Sequence, residues 1–426
     1  MSMGDTYIIE ISGIGTGGAG VGRLPDGRVT FVHRTSPGER VEVRLTDERR
    51  RWTRSELVRV VHASSSRRVA PCPHYERCGG CTLEHLTYAA QLEAKRQIVA
   101  EALRRIGGLE LDVPPVVPSP REFRYRNRVS FSLRRGADGV VAGFHELNRP
   151  DRIVDVSAAC LLPEEAVALA WGELRRHWGE KAARLPAGRQ LRLTVRGTAD
   201  GATTLLVEGG RGRGDPDALL ERVAGLAGIW HRPRPADAPK LLAGRPDMME
   251  RWRGEDVTLG GTAFLQVNRG AAALLEEHVS EIALTAETGT LVDAYCGVGL
   301  HARRLARAGW RVTGIDTDRD AVQEARRACP DGTFLAGPVE ERLEETLPAD
   351  LVILNPPRTG LHRAVPEMLV GEQPGRLVYV SCDPATLARD LNRLSPGYRA
   401  VGLRCFDLFP QTSHVETVVE LECATT

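Results

Sequence analysis

The sequence predicts an α/β chain in three parts that ends in a doubly wound, largely parallel sheet. Three observations carry that expectation. From about residue 258, short apolar strands alternate regularly with helical stretches, the pattern that builds a parallel sheet with helices on both faces. Residues 7–62 instead alternate apolar and polar side chains in short runs broken by glycine and proline, which reads as a small β-barrel of the oligonucleotide-binding (OB-like) kind. Between the two, three cysteines crowd into positions 72–81 and a fourth stands at 160, the mark of a metal-bearing segment. The expected boundaries are 1–62, 63–257 and 258–426, and 426 residues suffice to bury a core in each part.

In the barrel the strand candidates are Tyr7-Ile8-Ile9-Glu10-Ile11, Val29-Thr30-Phe31-Val32 and Glu39-Arg40-Val41-Glu42-Val43. Gly13-Ile14-Gly15-Thr16-Gly17-Gly18 follows the first of them and formally matches the dinucleotide-binding glycine pattern. That pattern needs a helix next, and Gly20-Val21-Gly22-Arg23-Leu24-Pro25-Asp26-Gly27 cannot supply one, so the match is discarded. Arg49, Arg50, Arg51 and Arg54 give the barrel a basic edge suited to a nucleic-acid backbone. Residues 87–106 read as a helix with Leu92, Val99, Leu103 and Ile106 on one face and Gly107-Gly108 as its stop. That helix counts with the central part and is free to pack on the last one.

A proline-rich link, 114–120, leads to a second basic run containing Arg121, Arg124, Arg126, Arg128, Arg134 and Arg135, with Tyr125 and Phe131 interleaved. Strand and hairpin signals continue to about 210, and the segments 209–216 and 232–240 are loose. In the last part strands are expected at 290–295, 311–316, 333–336, 351–355, 376–382 and 415–422.

Hydrophobic residues make up 42% and charged residues 27% of the chain, the balance of an ordinary globular protein. The N-terminus lacks the basic flank and apolar run of a secretory signal, and no stretch offers the ~18 apolar residues of a membrane span. Cytoplasm is the expected compartment, with no membrane partner and a monomer as the default. The net charge of +1 conceals an asymmetry: residues 1–160 hold 25 Lys and Arg against 19 Asp and Glu, the remainder 32 against 37. A basic front half fits a polyanionic partner.

Two constellations carry chemistry. Leu291-Val292-Asp293-Ala294-Tyr295-Cys296-Gly297-Val298-Gly299 is an apolar strand running into a glycine turn, and Thr313-Gly314-Ile315-Asp316 ends the next strand with a carboxylate placed to grip two ribose hydroxyls. With Asn355-Pro356-Pro357-Arg358 after the fourth strand, and without a phosphate-cradling GxGxxG, these favour S-adenosylmethionine over a dinucleotide. The second is Cys382 in Ser381-Cys382-Asp383-Pro384, at the end of a strand, with Glu416 in His414-Val415-Glu416. Carbon 5 of uracil is a poor nucleophile until a thiolate adds to carbon 6, and a base must then remove the carbon-5 proton. Cys382 and Glu416 offer those two groups.

These motifs, with Phe264-Leu265-Gln266-Val267-Asn268, make the chain resemble the RNA 5-methyluridine (uracil-5-) methyltransferases over nearly its whole length. The resemblance implies a C-terminal Rossmann-like class I methyltransferase domain, an N-terminal TRAM barrel and a central α+β iron–sulfur domain. It implies Cys382 as nucleophile and Glu416 as base, Gln266, Tyr295, Asp316 and Asn355 around the methyl donor, and Phe264 and Arg128 near a flipped base. The family usually carries Glu where this chain has Asp316 and Asp where it has Asn355; the amide removes a charge yet still accepts a hydrogen bond.

Cys72, Cys78, Cys81 and Cys160 suit zinc or an iron–sulfur cluster equally by ligand count. Three ligands from one loop and one from far away favour a [4Fe–4S] cluster, as in the family's cluster-bearing members, and His74 and His85 are not needed. RNA is the expected partner, with 23S ribosomal RNA favoured over transfer RNA. The competing readings are a 5-methylcytidine enzyme, which normally needs a further cysteine in the strand-four loop, and a non-catalytic RNA-binding protein retaining the fold.

Overall fold

The computed structural model describes residues 3–137, 139–252 and 254–424. Five strands, β1 (Thr6–Ile14), β2 (Ala19–Arg23), β3 (Val29–His33), β4 (Arg40–Glu48) and β5 (Trp52–His62), close into a barrel in the order β1-β2-β3-β5-β4. Their period-two alternation turns Ile9, Ile11, Val32, Val41, Val43 and Leu45 into its core. Gly13 lies within β1, and Gly15, Gly17 and Gly18 form the β1–β2 turn and open no helix. Arg49, Arg50, Arg51 and Arg54 are all exposed around the β4–β5 turn, with Arg54 stacked over Trp52 at 5.4 Å.

Helix α1 (Tyr88–Ala102) continues into a wider turn, Leu103–Gly107. Val99 and Leu103 are buried, but Ile106 is 50% exposed. The widened turn rotates Ile106 off the apolar face on which sequence periodicity had placed it.

The central elements are β6 (Arg128–Gly136), β7 (Gly139–Glu146), β8 (Arg149–Asp155), α2 (Glu165–His177), β9 (Gln190–Gly197), β10 (Thr203–Glu208), α3 (Pro216–Arg222), β11 (Leu226–Arg232) and β12 (Lys240–Gly244). The seven strands form one sheet, β12-β11-β10-β9-β6-β7-β8. Its core centres on Phe131, stacked on Trp171 with ring centroids 3.9 Å apart. A hairpin, β13 (Asp247–Trp252) and β14 (Glu255–Gly260), follows.

The last part runs α4 (Arg269–Leu284), β15 (Thr290–Ala294), α5 (Leu300–Arg307), β16 (Arg311–Asp316), α6 (Arg319–Ala328), β17 (Thr333–Ala336), α7 (Val339–Arg342), β18 (Leu351–Leu354), α8 (Ala364–Glu372), β19 (Arg376–Ser381), α9 (Pro384–Leu394), β20 (Tyr398–Phe406) and β21 (Glu416–Cys423). The strand order is β17-β16-β15-β18-β19-β21-β20, parallel except for β21, which is antiparallel to both of its neighbours. All six expected strands are present to within a residue or so of their ends, and β20 is an unexpected seventh.

Packing divides the chain into two units: Met1–Arg68, His85–Pro120 and Ala271–Thr426 in one, Val69–Glu84 and Arg121–Gly270 in the other. The cut expected at 257/258 falls inside β14. Among the described residues, no helix is long and apolar enough to cross a membrane.

In the first unit α1 locks onto the loop before β21. Lys95 and Asp407, both with 0% side-chain exposure, form an ion pair at 2.5 Å, and Lys95 Nζ also donates to the Phe409 carbonyl at 3.1 Å. Removing one partner of such a pair strands the other charge in the core, at a cost of about 3–5 kcal/mol. Lys95→Met should therefore lower the thermal unfolding midpoint by on the order of 10 °C. Lys95→Met with Asp407→Leu should recover most of the loss in the same melting experiment.

Candidate active site and cysteine cavity

Strand β15 has β16 on one side and β18 on the other, so the sheet grows in opposite directions from it and a crevice opens at the carboxyl ends of these strands. The chain leaves β15 in a tight turn, with the amides of Tyr295 and Cys296 both donating to the Ile315 carbonyl at 2.9 Å. Tyr295 has φ +69°, a left-handed conformation that a non-glycine residue adopts only where the surroundings impose it. Gly297 (φ +53°) faces open space, and a Cβ there would meet nothing within 4 Å.

Asp316 braces the turn. One carboxylate oxygen accepts the Gly297 amide and the other the Asp318 amide, both at 2.8 Å. An ionised carboxylate has about four acceptor positions, so two remain for a ligand's hydroxyls. Beneath the turn, burial pushes the Asp293 carboxyl up to about 7, and the charges of Asp316 and Glu276 add to the shift. The open glycine turn and the fixed carboxylate fit a nucleoside carrying an amino-acid tail.

Asn355 stands at the end of β18, its amide donating to the Ala294 carbonyl at 3.3 Å. The loop after it is held by Asp390, whose buried carboxylate accepts the Leu361 amide and the Tyr379 hydroxyl, both at 2.8 Å. Tyr295, Asp316 and Asn355 thus share one sheet edge. Gln266 and Phe264 belong to the other unit. There the Asn127 side chain donates to the Gln266 carbonyl at 2.9 Å, and the Arg128 guanidinium lies 4.9 Å over the ring of Phe264.

Cys382 and Glu416 meet through strand pairing. Ser381 at the end of β19 pairs with Thr417 near the start of β21, so the next residue on one strand and the preceding one on the other sit at the same end of the sheet. Asp383 caps α9, accepting the Ala385 and Thr386 amides at 3.0 and 2.9 Å, with Pro384 at the first helical position. This fixes Cys382 just before a helix N-terminus. Burial pushes its thiol up to about 11, the charge of Glu416 adds, and Arg358 opposes.

Glu416 is buried, which raises its carboxyl to about 7 against the pull of Arg358. Arg358 therefore acts electrostatically on both groups. The motif ending in it was visible in the sequence, but a lone arginine after two prolines gives no sign of reaching β19 and β21.

The loop entering β21 is clamped by other elements of the same unit. Gln91 on α1 donates to the Gln411 side chain and accepts the Gln411 amide, each at 2.9 Å, and Arg68 reaches Gln411 at 3.0 Å. Ser413 donates to the Thr16 carbonyl of the barrel at 2.7 Å.

In the second unit Cys72, Cys78, Cys81 and Cys160 line one cavity together with Tyr75 and Phe144. Burial raises the thiols of Cys72 and Cys81 and pushes Cys160 up to about 12. Near Cys81 and Cys160 the Arg126 guanidinium, which burial alone would weaken, is held above its usual range by Tyr125 and these two thiols. Among the described residues no group of three or more His, Cys, Asp or Glu is set to hold a single metal ion. Four sulfur donors facing one cavity beside a cation fit an anionic, thiolate-bound group.

Two arginines of the basic run expected to contact RNA are used internally. Arg124 donates to the Cys160 carbonyl and Arg135 to the Lys181 and Ala182 carbonyls, each at 2.8 Å.

A family model described as tRNA (uracil-5-)-methyltransferase matches residues 342–424, a TRAM-domain model matches 3–58, and a methyltransferase-domain model matches 291–369. An uncharacterised RNA methyltransferase of Gloeobacter violaceus is 38% identical over 98% of this chain and 97% of its own. One from Streptomyces coelicolor is 35% identical over 99% and 94%. The solved Pyrococcus abyssi tRNA (uracil-54, C5)-methyltransferase in complex with S-adenosyl-L-homocysteine aligns with TM-score 0.75 at 28% identity, covering 97% of this chain and 100% of that one. Fold and site together define an S-adenosylmethionine-dependent RNA methyltransferase. Within that class the chain belongs to the RNA uracil-5-methyltransferase family, and its barrel is a TRAM domain.

With Glu416 titrating near 7, the ionised fraction able to accept a proton grows as pH rises through that value. Release of free methylated RNA in a single turnover should show an inflection near pH 7. Glu416→Gln should lose it and slow product formation by about 10²–10⁴-fold.

Proposed function

We propose that this chain transfers a methyl group from S-adenosylmethionine to carbon 5 of a uridine in RNA through a covalent adduct on Cys382. The observation that carries this reading is the register that sets Cys382 beside a buried Glu416, with Arg358 acting on both. The Cys382 thiolate adds to carbon 6, and the displaced electron pair makes carbon 5 nucleophilic. Carbon 5 takes the methyl group from the sulfonium. Glu416 then accepts the carbon-5 proton, the ring double bond re-forms, and the carbon–sulfur bond breaks to return the thiolate. Asp316 holds the ribose hydroxyls of the donor, and Tyr295 and Asn355 on the same sheet edge complete that side of its site.

The same reading places a [4Fe–4S] cluster on Cys72, Cys78, Cys81 and Cys160. The convergence of four cysteines on one cavity, three of them buried and Cys72 half-buried, supports it. The cluster's part is structural, tying the 72–81 loop to the distant Cys160. Ribosomal RNA is the favoured substrate, as in family members that combine barrel and cysteine set. The Pyrococcus abyssi enzyme's action on transfer RNA keeps that substrate as the second reading.

Incubating the purified protein with unmodified 23S ribosomal RNA and transfer RNA, then digesting and mapping by mass spectrometry, tests the assignment. One 5-methyluridine position in the ribosomal RNA is expected; product in transfer RNA alone moves the substrate, and no 5-methyluridine in either overturns the reading. Independently, protein purified without oxygen should be brown with about four iron per chain. Cys81→Ser should lose that absorbance, whereas zinc without iron in the wild-type protein would contradict the cluster.

A further inference from the structure

The two loose segments 209–216 and 232–240 take no part in the sites above, yet in the second unit they line a single cleft of about 1100 Å³. The first reads Gly209-Gly210-Arg211-Gly212-Arg213-Gly214, which in sequence looks like a flexible linker. It is held instead. Arg211 and Ala187 exchange backbone hydrogen bonds of 2.7 and 2.8 Å, and the Gly209 amide donates to the Arg232 carbonyl at 2.9 Å. His231 Nε2 donates to the Gly209 carbonyl at 2.9 Å. Gly210 has φ +74°, and a Cβ there would lie 2.8 Å from the Ala187 carbonyl oxygen. The glycines therefore serve close backbone packing that shapes one wall.

The cleft is cationic. Arg211, Arg234 and Lys240 line it against one acid, Asp237, which is paired with Arg234 at 3.0 Å. Arg213 is already used, donating to the Leu242 carbonyl at 3.0 Å and pairing with Asp217 at 2.8 Å. The Arg211 guanidinium, by contrast, makes no hydrogen bond or ion pair with any described residue. Between the charges the lining is apolar, from Pro233, Ala236, Ala238 and Leu242.

A cleft of this size, at the top of the ~300–1,000 Å³ usual for small-molecule pockets, has room for a segment of polymer. Cations spaced around an apolar lining suit single-stranded RNA. Phosphates meet the ammonium and guanidinium groups, and unstacked bases lie on the apolar lining or on arginine planes. The internal use of Arg124 and Arg135 also leaves this cleft as a cationic surface of the central sheet that is free to meet a polyanion.

We propose that the 209–216/232–240 cleft holds a single-stranded stretch of the substrate RNA outside the target uridine, with phosphates on Arg211 and Lys240. The proposal rests on the RNA-methylating reading and adds to it a contact that selects RNAs longer than the target loop.

The test compares the full chain with its Arg211→Glu/Lys240→Glu variant on the long target RNA and on the same RNA trimmed to the target loop. On the long RNA the variant should bind about tenfold more weakly, and the slope of log affinity against log salt should shrink by about 2. On the trimmed RNA affinity and methylation should match wild type, and Arg211→Lys should retain long-RNA affinity, which excludes misfolding as the cause. Unchanged affinity and slope on the long RNA would overturn the proposal, as would an equal loss on both RNAs. If wild type methylates neither RNA while the binding contrast persists, the methylation reading falls and the cleft assignment stands.

Discussion

The antiparallel insertion of β21 between β19 and β20 is the constraint on which the site depends. Its register runs without a shift from Arg376↔Glu422 to Ser381↔Thr417. A slip of one residue would turn every β21 side chain to the opposite face and carry Glu416 away from Cys382. The buried Leu377, Val378, Val380, Val418, Val419 and Leu421 specify that register, so packing in the sheet sets where Cys382 lies relative to Glu416. Both groups lie near the end of the paired region, where the sheet meets the crevice at its carboxyl edge.

The arrangement has an electrostatic cost. A carboxyl moved from 4.5 to about 7 by burial corresponds to on the order of 3 kcal/mol against the ionised form. That cost is present above pH 7, where the group is ionised, and disappears below about 4.5, where it is protonated in folded and unfolded chains alike. Arg358 reduces it and also favours the thiolate of Cys382. One cation acting on two titratable groups is a reason to hold Arg358 on a fixed loop. Asp390 supplies that fixation through Leu361 and Tyr379, and Arg389 through the Thr359 carbonyl at 2.9 Å. On the other side α1 and the barrel clamp the 407–414 loop, so elements far away in sequence orient Glu416.

Much of the last part was legible because its strands are apolar runs with turn residues at their ends, as in Leu291–Ala294 and Leu351–Leu354. Strand β20 was not. Arg399, Gly402 and Arg404 interrupt its apolar residues, and it lies at the sheet edge, where one side needs no apolar partner. Cys72, Cys78, Cys81 and the distant Cys160 were grouped from their spacing, and all four line one cavity. Glu416 was readable as a candidate only; its burial follows from long-range pairing that no local pattern encodes. The arginines of 121–135 looked like one RNA-binding run, but alternation along β6 and the turns before it sends several inward to carbonyls. Conversely, Gly209–Gly214 looked like a linker because the sequence does not show that Ala187 and Arg232 lie against it.

The central claim is that the Cys382 sulfur bonds to the target pyrimidine. RNA carrying 5-fluorouridine at the target position tests it most directly, because fluorine cannot leave as a proton does and the adduct cannot resolve. With S-adenosylmethionine present, denaturing electrophoresis and mass spectrometry should find one RNA joined to the peptide containing Cys382, heavier by one methyl group, and none with Cys382→Ala. Methylated RNA released freely, or a crosslink that persists in Cys382→Ala, would contradict the account.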